Sequence, residues 1–369
     1  MSRYVPVDRS PLAFYGIGNP LVLLFLCGAL VVYGAAAGEW LDLESAPHPG
    51  IILTKHLIHG FLALGIAYIS YLWGYRNFFE MRHLIAFLIL LGLICVFVPG
   101  IGKRANGANR WIGLSWFGLQ PSEFAKVCLP LILFHSLLKD PSMRFRTFAK
   151  KLIPCSLAVV LIWKEPDHGT ALILAVLLIT AVFLAGIRMR YWVAPLLVLA
   201  IIGGVAAWQT PYISARLAVY FDPSSDLLGV GHQAHQAKIA IGSGGLFGKG
   251  LGESWQRVRY LPEAQNDYIA AIFAEEMGWI GISLMILLYC VFACSAFSLA
   301  MSSSEYLCAG LCSIIGTSLI LQAFLNLGVV SGLLPSTGLN LPVFSQGGSS
   351  LLANGMAVGL LLSSGRSSE

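Results

Sequence analysis

Tyr260–Phe297, YLPEAQNDYIAAIFAEEMGWIGISLMILLYCVFACSAF, sets a polar segment directly against a long apolar run. From Ile280 to Phe297 the run carries no charge. About 20 such residues read as a membrane-spanning helix, whereas a β-barrel strand would alternate polar and apolar positions. Asp267 stands where the polar segment enters the run. Hydrocarbon solvates charge badly, so an ionisable residue at that depth is a functional candidate by default. Glu263 precedes it, and Glu275 and Glu276 follow inside the run. At 1.5 Å per residue, Glu275 lies roughly 12 Å deeper than Asp267. Acids on two levels predict a polar cavity between helices.

The same pattern recurs along the chain. Of 369 residues, 57% are hydrophobic and 11% charged, against about 25% charged in a soluble domain. The reading is an all-α integral membrane protein, a single polytopic domain over 1–369. About ten spans are expected, near 20–37, 51–74, 84–100, 121–138, 150–164, 169–187, 190–209, 267–299, 306–330 and 345–364. The segment 210–266 becomes a large loop between the seventh and eighth. Loops of that length are usually functional or disordered; aromatic and short apolar groups here predict partial order, with an amphipathic helix near 232–242. The eight cysteines lie in or beside apolar runs with no CxxC pair, so they read as packing residues. No cleavable signal peptide is expected, and nothing implies a nucleic-acid partner.

Lys and Arg concentrate in short connectors on the cytoplasmic side of membranes. With a cytoplasmic N-terminus, that side receives Arg3, Arg9, Arg76, Arg82, the Lys139–Lys151 group, Arg188, Arg190 and Arg366. An even number of spans returns the C-terminus to the cytoplasm. Two loops on the other side break the bias. One holds Lys103, Arg104 and Arg110; the other holds Arg216, Lys238, Lys249, Arg257 and Arg259. Basic residues there predict an anion to meet.

Further polar motifs fall on that outer side. Arg110-Trp111 joins a basic residue to an aromatic, either an interfacial anchor or a sugar platform beside a phosphate-binding arginine. In Leu119–Lys126, Pro121 suits the first turn of a helix, and Glu123 and Lys126 then share a face as an ion pair. Lys164-Glu-Pro-Asp-His-Gly-Thr170 is a charged turn in which Asp167 reads as an N-cap or as part of a site. The glycine-rich run Gln236–Gly250 fails as a phosphate loop. Ser243 stands where the first Gly is required, and Gly250 follows Lys249. Its backbone N–H groups remain candidates for an anion. Leu334–Ser350 contains Ser345 and the pair Gly347-Gly348, which permits close approach of a ligand or of a helix. One-sided polar motifs favour an enzyme over a transporter, which would hold its site near the midplane.

Taken in order, Trp111–Lys126, Pro166–Thr170, Lys238–Gly250, Leu261–Asp267 and Leu334–Ser349 resemble the SEDS family of bacterial cell-wall polymerases, FtsW and RodA. The likeness spans nearly the whole chain. Gly250–Trp255, Tyr260–Ala264 and Thr337–Pro342 look FtsW-like, whereas Lys238–Gly245 looks RodA-like. Gln265-Asn266 stands where the family usually has His-Thr, and Gln346 where it has Tyr.

The resemblance implies a peptidoglycan glycosyltransferase of the bacterial inner membrane, serving division or elongation. Its substrates would be lipid II and the nascent glycan strand, and undecaprenyl pyrophosphate would leave with inversion. It implies Asp267 as the base, and Arg110, Lys126 and Lys238 for pyrophosphate. Trp111 would position sugar or lipid, and Glu123 and Asp167 would order the cavity. Glu263, Ser345, Gly347 and Gly348 join them as candidate substrate contacts. A divalent cation, Mg or Mn, offsetting the pyrophosphate charge would be the one cofactor. The implied partner is a class B penicillin-binding protein, a transpeptidase, within the division or elongation machinery. The competing reading is a lipid II flippase.

Overall fold

The computed structural model describes residues 11–42, 47–105, 108–113, 118–197, 204, 208–222, 231–256 and 265–366. Helices α1 (Pro11–Asp42), α2 (Pro49–Trp73), α3 (Tyr75–Glu80) and α4 (Arg82–Cys95) come first. A short hairpin, β1 (Gly102–Ala105) with β2 (Ala108–Ile112), separates them from α5 (Pro121–Leu138), α6 (Phe145–Lys164) and α7 (His168–Leu184). Then follow α8 (Pro211–Phe221), α9 (His232–Gly244), α10 (Ile269–Met301), α11 (Tyr306–Val330) and α12 (Gly348–Arg366).

Local chemistry sets the helix starts. Pro49 and Pro121 take first-turn positions, where a missing N–H costs nothing. His48 accepts from the Gly50 N–H, and Asp167 caps α7 through the Thr170 N–H. Helices α1, α2, α5, α10 and α11 contain segments long and apolar enough to cross a membrane, and α4 and α7 are shorter apolar helices. Nine of the expected spans coincide with described helices. The seventh, 190–209, is described only at 190–197, 204, 208 and 209, of which 193–197 form a helical stretch. The connector between the third and fourth expected spans contains antiparallel pairing that periodicity had not suggested, Lys103 opposite Trp111.

Helix packing in lipid rests on close approach rather than on expulsion of water. Helices α2 and α12 show this. A Cβ on Gly355 would lie 2.4 Å from the Ala63 carbonyl oxygen, and one on Gly359 2.2 Å from that of Ala67. All eight cysteines are free. Cys128, Cys155, Cys308 and Cys312 are buried packing residues, whereas Cys290 and Cys294 are exposed on α10, contrary to the packing expectation.

Helix α10 is broken. Gly278 sits at φ 63°, ψ −162°, backbone that only glycine adopts readily. The break frees peptide groups, and at membrane depth these need protein partners. The loop after α9 supplies them. Lys249 and Gly250 N–H donate to the carbonyls of Glu275 and Glu276, at 3.0 Å each. In return Trp279 and Ile280 N–H donate to Gly245 and Leu246 carbonyls, at 3.0 and 3.2 Å. The glycine-rich run is therefore a splint for a broken helix, and the Lys249 and Gly250 N–H groups are spent on it.

Candidate functional site

Glu275 explains the splint's chemistry. Its side chain is fully buried and accepts from Ser243 Oγ (3.0 Å), Lys249 Nζ (2.6 Å), Ser254 Oγ (2.5 Å) and Gln256 N–H (3.2 Å). A charge buried with one ion pair and further hydrogen bonds is tolerated; one without them is not. The expected open cavity between Asp267 and Glu275 is thus filled at its deeper level by the loop itself.

Asp267 lies in the turn before α10 and is half-buried. Its carboxylate faces Gly338, where a Cβ would lie 3.7 Å from Oδ2. Its main-chain carbonyl accepts from Asn326 Nδ2 at 2.8 Å. The same amide donates to the Leu339 carbonyl at 2.6 Å. One turn back on α11, Gln322 Nε2 donates to the Asn340 carbonyl and to Asn340 Oδ1, both at 2.9 Å. Gln322 Oε1 accepts from Lys126 Nζ at 2.6 Å, and Glu123 Oε2 takes the same ammonium at 2.6 Å. Glu123 and Lys126 pair on α5 as their spacing predicts, and both are buried. Lys126 is linked to Asp267 through the amide-bearing face of α11.

A second cluster gathers at the charged turn. Asp167 accepts from Thr170 N–H (3.3 Å) and from Gln120 Nε2 (3.0 Å). The Gln120 N–H reaches Ser349 Oγ, whose proton goes to the Gly118 carbonyl. Arg110 grips the main chain of the same turn, donating to the carbonyls of Glu165 (3.1 Å) and Pro166. Trp111, beside it, lies with its ring against Gly118. Glu165 is fully buried, and neither carboxylate oxygen has a hydrogen-bond partner among the described residues. Burial, reinforced by the Asp167 charge and opposed by Arg110, pushes its pKa up to about 8.

Lys238 sits apart from these. It is exposed on α9, its stem against Gly332. Together with Arg216, His235, Tyr220 and Ser336 it lines a cavity of about 50 Å³. Ser345 closes a turn, accepting from Leu341 N–H at 2.8 Å. Gly347 packs on Asn340 and Gly348 on the His59 ring, so both glycines serve close packing. Glu263 lies outside the described residues. Gln265 and Gln346 meet: the Gln346 N–H donates to the Gln265 carbonyl at 3.1 Å.

Sequence reading did not single out Gln120, Glu165, Gln322, Asn326 or Asn340 as site residues, and named Arg216 only among the outer-loop basic residues. Gln322 and Asn326 could have been found, since two amides four apart in an apolar helix need partners inside the membrane. As for a metal, the described residues contain no group of three or more His, Cys, Asp or Glu able to hold an ion. They do not fit a resident cation.

The fold and site define a polytopic helical membrane protein in which a buried hydrogen-bond network joins α5, α11 and the turn before α10. The FtsW, RodA and SpoVE family model, described as cell cycle protein, matches residues 19–369, and the chain belongs to that family. It is 37% identical over 358 residues to the probable peptidoglycan glycosyltransferase FtsW of Thioalkalivibrio sulfidiphilus, covering 94% of this chain and 88% of that one. It is 34% identical to stage V sporulation protein E of Bacillus subtilis, covering 94% and 95%. A solved structure described as "Structural coordination of polymerization and crosslinking by a peptidoglycan synthase complex" superposes with a TM-score of 0.76 at 27% identity, covering 94% of this chain and 97% of that one. The rod shape determining protein RodA of Thermus thermophilus gives 0.69 at 27% identity, covering 95% and 96%.

Proposed function

We propose that this chain is a peptidoglycan glycosyltransferase that polymerises lipid II at the outer face of the bacterial inner membrane, in the division role of FtsW. The observation that carries this is Asp267: a half-buried carboxylate whose main-chain carbonyl is held by Asn326, at the start of a half-helix buried from Ile269 to Glu276. The names of the FtsW relatives support the activity and favour division over elongation.

The reaction is a single displacement. Asp267 takes the proton of the GlcNAc 4-hydroxyl as its oxygen bonds to the anomeric carbon of MurNAc. The bond from that carbon to the phosphate oxygen breaks, its electron pair leaves with the lipid pyrophosphate, and the configuration inverts from α to β. A positioned base contributes about 10²- to 10⁴-fold. Fixed positive charge aimed at the leaving group lowers the barrier further. The proposed sources are Arg110 at the charged turn and Lys238 at the separate cavity beside α9, with Lys126 as a buried charge behind Gln322. Trp111 offers a face for sugar or lipid. A Mg or Mn ion would arrive with the pyrophosphate and be held chiefly by it.

In this reading both termini are cytoplasmic and the 210–266 segment lies outside. A class B penicillin-binding protein is the proposed partner, supported by the synthase complex whose fold this chain shares. The purified chain, given lipid II in detergent with that partner, should yield glycan polymer. No polymer, together with lipid II crossing liposome membranes, would replace the enzyme with a flippase.

A further inference from the structure

We infer that Gln322 and Asn326 of α11 are positioning residues that set the distance between the Asp267 carboxylate and the Gly338-Leu339 segment it faces. The inference rests on the polymerase reading and deepens it.

Asn326 carries one amide nitrogen with two protons, and both are used. One goes to the Asp267 carbonyl at 2.8 Å and the other to the Leu339 carbonyl at 2.6 Å. These two carbonyls belong to the segments that face each other across the carboxylate, since Gly338 lies opposite Asp267 Oδ2. A single side chain thus ties the residue that must move a proton to the wall opposite it. Asn326 is itself buried on a packed helix, so its amide has little freedom to drift.

Gln322 repeats the arrangement one turn away. It holds both the main chain and the side chain of Asn340, next to Leu339. Its oxygen is held by Lys126, whose other partner is Glu123. This explains why a lysine is buried at this point in α5. Its charge fixes the orientation of the Gln322 amide, because only the carbonyl oxygen can face an ammonium. The nitrogen is then left pointing at Asn340. A displacement near 1 Å at reacting groups costs about 10²-fold in rate, so the two amides matter through geometry alone.

The test measures kcat and KM for lipid II with wild type, Asn326→Leu and Gln322→Met, both near-isosteric substitutions that delete the donors. Thermal melting and size-exclusion profiles in detergent accompany them. Expected are a fall in kcat of about 10- to 100-fold for Asn326→Leu and a smaller fall for Gln322→Met. KM should stay close to wild type, and melting should fall only modestly as the deleted donors leave buried acceptors unpaired. Asn326→Ser, which keeps one donor, should recover part of the rate. Unchanged kcat in active, folded variants overturns the inference alone. Loss of fold in both Asn326→Leu and Asn326→Ser overturns it too, since the amide would then be a requirement of the fold. A wild type that makes no polymer overturns the polymerase reading and the inference with it.

Discussion

Residues 269–277 and 279–301 belong to one helix, yet they occupy different surroundings. From Ile269 to Glu276 every residue is buried. Beyond Gly278, Trp279 is 68% exposed, Leu284 55% and Leu287 55%. The first half is a piece of the site's wall, with Asp267 at its head and Glu275 bolted to the splinting loop. The second half presents a lipid-facing surface where only hydrophobicity is required. The difference teaches that the break at Gly278 separates two duties. A continuous helix would force the exposed half's lipid contacts to set the orientation of Asp267. The break lets loop 244–256 hold the buried half at Glu275 and Glu276, independently of those contacts.

If the buried half is held as described, removing its bolt should cost most. Glu275→Ala removes the buried acceptor that Lys249, Ser243, Ser254 and the Gln256 N–H share. Breaking a buried pair in this way costs about 3 kcal/mol, the partial exposure of Lys249 softening the upper values. A lowered melting temperature with loss of polymerisation is expected. A variant that melts like wild type would dissolve the distinction between the halves.

The charged turn sharpens the comparison through pH. Glu165 titrates near 8 in the fold against an ordinary 4.5. Its neutral form is compatible with burial, so its contribution to stability is complete below about 4.5. Above that the unfolded chain releases the proton while the folded one keeps it, and stability falls until about pH 8. Glu165→Gln should flatten the melting curve over that window and melt above wild type at pH 8. An unaltered slope would mean that the carboxyl is solvated. The smallest effect belongs to the lipid-facing half, where Leu284→Ala should shift stability by no more than about 0.5 kcal/mol and leave polymerisation intact.

The helices were legible because hydropathy survives any change in packing detail, and five of those described are long and apolar enough to cross a membrane. The ion pair Glu123–Lys126 and the capping role of Asp167 were legible because both are local. The break in α10 was not. Glu275-Glu276-Met277-Gly278 reads as continuous helix, and the groups that satisfy the break come from a loop some thirty residues earlier. The hairpin carried a signal in Asn106-Gly107, a turn dipeptide between its strands, but the strands are too short for periodicity to register. Arg110's grip on the Glu165 and Pro166 carbonyls joins distant segments, and no spacing rule reveals it. Gln322 and Asn326 escaped because neutral amides do not stand out as charges do, although the membrane makes them nearly as demanding of partners.

The most direct test of the account is polymerisation by Asp267→Asn beside wild type, with lipid II binding measured on the same preparations. The account predicts a folded variant that binds lipid II with near wild-type affinity and whose polymer output falls by about 10²- to 10⁴-fold. Polymerisation at the wild-type rate would contradict it.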